Sequence, residues 1–115
     1  MTHAHETLEE LREPSRELRR LIPDVYAGFA GLDRAAMAEG ALSVKCKELI
    51  ALAIGATREC DACLASHGRG AARAGASEEE VAEAMGVVIL MNGGPGTVWG
   101  PRALEAFREF SAGDA

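Results

Sequence analysis

The stretch KELIALAIGATRECDACLASH, residues 47–67, decides how the rest of the chain is read. Its first half is apolar on nearly every side, with no two-residue alternation, so it predicts a helix buried between other helices or subunits. It runs to about Arg58, and the next helix opens at or just before Cys60. On that helix Cys60, Cys63 and His67 are separated by three and four residues, so they fall within roughly 60° of arc and share one face.

Outward from this stretch the chain keeps the same character. Aromatic residues make up 4% of the sequence, and alanine, leucine, glutamate and arginine recur throughout, so the fold class is all-α. A first helix is expected over residues 7 to about 20, with Leu8, Leu11, Leu18 and Leu21 as its apolar stripe and Pro14 kinking or splitting it. A second starts near Pro23, turns Val25, Phe29, Leu32 and Met37 inward and ends at Gly40. Ser43 caps the third, and the fourth stops at Gly75. Ser77 and Glu80 stand at capping-box spacing at the start of a fifth helix that holds Val81, Met85, Val88 and Ile89. The glycine-rich NGGPG, residues 92–96, reads as a break before a last helix over residues 98 to about 110. The whole is a bundle of about six helices in one domain over residues 1–115, with frayed tails near 1–5 and 111–115.

Composition narrows the function. The formal charge of -6 disfavours a nucleic-acid partner, because phosphate binding needs clustered basic side chains. No apolar run approaches the length of a membrane span, and the N-terminus lacks the basic and apolar segments of a signal peptide. Three cysteines, two of them within one helical turn, suit a reducing cytosol, where paired thiols are catalytic or metal-binding. A cytoplasmic protein is therefore expected. The apolar third helix and the C-terminal glycines imply more apolar surface than one small domain hides, so a homo-oligomer is expected as well.

Cys60 and Cys63 sit in a first helical turn, where unpaired amides and the helix dipole favour a thiolate, while His67 is placed to accept or supply a proton. A second thiol so close resolves a sulfenic acid or mixed disulfide before over-oxidation. Glu48, in the preceding helix, is the candidate partner that fixes the His67 tautomer, because a carboxylate among buried residues is costly unless paired. Its alternative is an ion pair with Arg58 or Arg73. The thiols and imidazole are also zinc ligands, with Glu48 or Cys46 available as a fourth, but three candidates along one rigid helix do not form the separate knuckles of a structural zinc site. No metal and no cofactor are expected. Cys46 reads as a core residue, His3 and His5 as solvated, and Asp61 as a first-turn charge that opposes a thiolate on Cys60. A non-catalytic redox-sensing oligomer remains the reading from a different class.

The spacing of Glu48, Cys60, Cys63 and His67, followed by GRGAARAGASEEEVAEAMGVVILMNGGP, resembles the alkylhydroperoxidase D-like branch of the carboxymuconolactone decarboxylase family over about residues 43–107. The resemblance implies an all-helical trimer or hexamer. It also implies a thiol-dependent peroxidase in which Cys63 is peroxidatic, Cys60 resolving, His67 the nearer base and Glu48 the remote one. The substrate would be a peroxide or small disulfide, and the reductant an external dithiol. Ala62 stands where well-studied members of that branch carry a second histidine. Decarboxylases of the family lack the paired thiols, which argues against lactone decarboxylation.

Overall fold

The structure is a computed structural model and describes residues 3–111. Six helices follow one another: α1 (His3–Leu21), α2 (Pro23–Met37), α3 (Val44–Thr57), α4 (Asp61–Arg73), α5 (Glu78–Asn92) and α6 (Gly94–Ser111). The chain is all-α, and no strand occurs among the described residues. Helix α4 lies at the centre, against α3, α6 and α1, and α5 packs on α6.

The core is built from small residues with a few large ones between them. Leu52, Val81 and Phe107 are fully buried, and Ala56, Leu64, Ala65, Ala71, Ala103 and Ala106 surround them. Burying each of the large side chains contributes about 1.5–3 kcal/mol. Small residues let the helices approach closely. A Cβ added at Gly68 would stand 3.1 Å from the Phe107 nitrogen, and one at Gly96 only 2.7 Å from the Ile89 Cα.

Local signals fix several boundaries. Ser43 accepts a bond from the Cys46 amide at 3.0 Å, and Ser77 and Glu80 exchange both capping-box bonds. Gly75, with φ of 85°, takes the left-handed position that ends α4.

Other expectations are corrected. Helix α1 starts at His3 and passes through Pro14 without splitting. Residues 3–5, expected to fray, are helical, with Ala4 buried, because α6 supplies partners for the first-turn amides. The glycine-rich break shrinks to Gly93, since Pro95 has no amide to leave unpaired in a first turn and α6 opens at Gly94. Helix α6 extends through Ser111, so the expected C-terminal tail beyond it lies outside the described residues. Helix α2 ends at Met37, before Gly40, and buries no residue. Val25, Phe29 and Leu32, expected inside, are 64%, 67% and 64% exposed. Their spacing specifies a stripe but not what covers it, and among the described residues nothing does. Leu11, Leu18 and Leu21 of α1, Ile50 and Ile54 of α3, and Ile89 of α5 are likewise exposed.

Candidate functional site

The site grows from the turn between α3 and α4. The Glu59 amide bonds to the Ala56 carbonyl and the Cys60 amide to the Gly55 carbonyl, both at 3.1 Å, which is the pattern of a Schellman ending. Glu59 occupies the left-handed position with φ of 55°, where glycine is the usual residue. This turn delivers Cys60 to the N-cap of α4. Its Sγ accepts the Cys63 amide at 3.2 Å, so a negative charge on that sulfur would have a backbone donor aimed at it.

Cys60 and Cys63 form a disulfide, with 5.2 Å between their Cα atoms, and both residues are half-buried. One turn on, His67 Nδ1 lies 2.8 Å from Glu48 Oε1. A carboxylate only accepts, so Nδ1 carries the proton and donates it to Glu48, leaving Nε2 of the neutral ring as the acceptor. The pair is largely shielded, the side chains being 29% and 16% exposed. Of the partners open to Glu48 in the sequence, the His67 imidazole is one that it meets. Arg58, the C-cap residue of α3, is exposed, and Arg73 lines the same cavity as the Glu48–His67 pair.

Two glycines make this geometry available. A Cβ at Gly55 would come within 2.9 Å of the Cys63 Cβ, so its absence lets the dithiol helix press on α3. No room exists for a Cβ at Gly70 either, which would overlap the Glu48 carboxylate. Glu48 therefore crosses α4 through a gap that a glycine leaves. A cavity of about 440 Å³ opens on this pair, with Asp33 and Met37 of α2 on one wall and Arg69 and Arg73 of α4 on another.

The four residues singled out in the sequence thus lie on two adjacent helices, with both sulfurs bonded and the imidazole held by the carboxylate. No group of three or more His, Cys, Asp or Glu among the described residues is arranged to hold a metal ion. Cys46 is a free thiol, half-buried rather than part of the core. His3 and His5 stay partly exposed to solvent, but each also meets a carboxylate: His5 Nδ1 lies 2.8 Å from Glu109, and His3 Nε2 lies 3.3 Å from Asp61. The histidines carry no local signal of this, because their partners are 58 and 104 residues away. Gly70 did leave one, since a glycine inside a helix lowers its stability and marks a close approach.

Among the described residues no helix is long and apolar enough to cross a membrane. The sequence signature of the Carboxymuconolactone decarboxylase family matches residues 23–109. The chain is 34% identical over 105 residues to an uncharacterized protein from Cupriavidus necator, covering 91% of this chain and 93% of that protein. It is 35% identical over 93 residues to "Uncharacterized protein 4 in cox locus" of Paracoccus denitrificans, covering 81% and 84%. The crystal structure of an apo carboxymuconolactone decarboxylase family protein from Legionella pneumophila superposes with a TM-score of 0.93 at 33% identity, covering 96% of this chain and 99% of that one.

Proposed function

The chain belongs to the carboxymuconolactone decarboxylase family, and from that premise we propose that it is a thiol-dependent peroxidase of the alkylhydroperoxidase kind. The observation that carries this reading is the Cys60–Cys63 disulfide one turn before an imidazole held by Glu48. Cys63, as thiolate, attacks the terminal oxygen of a hydroperoxide. The O–O bond breaks, the alkoxide leaves and takes a proton from the relay, and Cys63 becomes a sulfenic acid. Cys60 then attacks that sulfur, closing the disulfide and releasing water. An external dithiol reduces the pair and is itself oxidised to a disulfide. As Cys60 leaves during that reduction, the Cys63 amide stabilises its negative charge. His67 moves the protons, and Glu48 fixes its tautomer. A reducing cytosol suits a cycle that must return to the dithiol. Lactone decarboxylation makes no use of paired sulfurs and is the weaker reading.

The test is anaerobic thiol counting before and after one equivalent of peroxide, with the modified residues mapped by peptide mass. Loss of the Cys60 and Cys63 thiols together, followed by repeated turnover with a dithiol, is expected, and Cys63→Ser abolishes peroxide consumption. Full turnover by that variant refutes the assignment. Oxidation that stops after one equivalent, whatever dithiol is supplied, identifies a redox sensor.

The protein also acts, in this reading, as a homo-oligomer. Val25, Phe29 and Leu32 make an exposed apolar stripe along α2, Leu18, Leu21 and Ile22 are exposed just before it, and Ile54, Val87 and Met91 line an open apolar hollow between α3 and α5. Together those first six side chains expose on the order of several hundred Å² of apolar surface, a sizeable part of the roughly 800 Å² per partner of a stable interface. A second copy is the occupant because it covers such faces on every chain at once. Phe29→Asp is expected to lower the sedimenting mass, and a wild-type monomer at micromolar concentration would refute the assembly.

A further inference from the structure

The first turn of α1 is fastened across the N-terminal end of α4 by a residue of α6. Glu109 accepts the Ala4 amide at 2.9 Å, the His5 amide at 3.1 Å and His5 Nδ1 at 2.8 Å, and its side chain is only 4% exposed. The His5 ring also lies against Phe110, with centroids 4.3 Å apart. Two orphan amides of α1 are thereby satisfied from another helix, and the register of the first turn is fixed. The consequence falls two residues earlier, where His3 Nε2 stands 3.3 Å from Asp61 Oδ2.

Asp61 immediately follows Cys60, and its charge opposes a thiolate there even as the Cys63 amide favours one. The surroundings are mostly acidic. Arg102, Glu105 and Glu109 of α6 line the same cavity of about 280 Å³ as Asp61 and His3, Glu59 precedes Cys60 in the turn, and Glu48 of α3 meets His67 one turn past Cys63. The Arg102 guanidinium lies over the Trp99 ring, 4.6 Å from its centroid. Among the described residues, His3 brings a ring nitrogen to the Asp61 carboxylate.

We propose that His3 is a positioning residue for the dithiol, brought to Asp61 by the Glu109 clasp so that its Nε2 bonds the carboxylate and draws that charge away from Cys60. The imidazole acts through Asp61 and touches neither substrate nor sulfur in this role. Because His3 and Asp61 are 57% and 39% exposed, water and salt screen the effect, which is therefore modest and salt-sensitive. The inference rests on Cys60 and Cys63 being a cycling dithiol, but not on peroxide being the oxidant.

Alkylation of the reduced protein by iodoacetamide reads it directly, with the rate at Cys60 followed by peptide mass across the pH range at low salt. His3→Ala is expected to move the profile to higher pH and slow alkylation near neutrality about two- to fivefold. His3→Lys restores the rate, Asp61→Asn moves the profile to lower pH, and His3→Ala has no effect in the Asp61→Asn background. High salt narrows the difference. A His3→Ala profile that superposes on the wild type overturns the proposal, as does equal slowing with and without Asp61, which would mark a purely structural role. Since no peroxide is used, a protein that fails to turn over peroxide still answers this question.

Discussion

Replacing Gly70 by alanine separates the site from the stability of the fold. The new Cβ would overlap the Glu48 carboxylate, whose atoms end a flexible side chain and can swing aside without moving either helix. To reach ordinary contact at about 3.5 Å the carboxylate must retreat by about 1 Å. A hydrogen bond that starts at 2.8 Å does not survive such a shift. Alanine gains about 1 kcal/mol over glycine inside a helix, against about 1.5–3 kcal/mol for a bond to a charged group, so the net loss is about 1 kcal/mol. The expected fall in Tm is about 4 °C. Peroxide turnover, by contrast, is expected to drop roughly 10- to 100-fold, the usual cost of losing the partner that orients an imidazole. The control is Glu48→Ala, which removes the obstruction: adding Gly70→Ala to it should cost no further activity and add about 1 kcal/mol of stability. Wild-type turnover in Gly70→Ala, or an equal loss of activity in the Glu48→Ala background, refutes the reasoning.

Two further outcomes follow from the ends of α1 and α3. Burial alone would push the Glu109 carboxyl up, but the bonds from the Ala4 amide and from the His5 ring and amide outweigh it and hold the group below its ordinary value. A carboxyl depressed in the folded state contributes stability that is fully present above its unfolded pKa, about 4.3, and is lost as pH falls through the lower folded value. Urea titrations should therefore show Glu109→Gln less stable than wild type by about 1–3 kcal/mol near neutrality, with the gap closing in acid. A gap that stays constant down to strong acid contradicts this. Glu59→Gly relieves a left-handed residue at the end of α3 and should raise stability by about 0.5–1 kcal/mol, read as a melting temperature several degrees higher. A lower melting temperature would show that the Glu59 side chain holds the turn by a contact of its own.

Much of the site was legible because it is local. Cys60, Cys63 and His67 lie within eight residues of one helix, so spacing alone placed them on one face, and the capping residues Ser43 and Ser77 announce the helices that follow them. Glu48 was legible for a different reason: a carboxylate in an apolar helix needs a partner, and the short turn to α4 brings few within reach. Gly70 and Gly55 are harder to interpret, since a glycine reports that something comes close without saying what.

The remainder depended on contacts between distant parts of the chain. A stripe such as Val25, Phe29 and Leu32 is a property of one helix, but whether it faces core, solvent or another copy depends on every other helix, and in this fold α2 buries none of it. The docking of His3 and His5 is decided in the same way, by carboxylates 58 and 104 residues away that only the packing of α1, α4 and α6 brings together. Sequence by itself determined the helical class, the helix order and the face shared by the two sulfurs and the imidazole, because these follow from periodicity and backbone chemistry within a few turns. Tertiary structure alone decided which carboxylates meet His3 and His5 and which apolar faces stay open, because those depend on where separate helices cross.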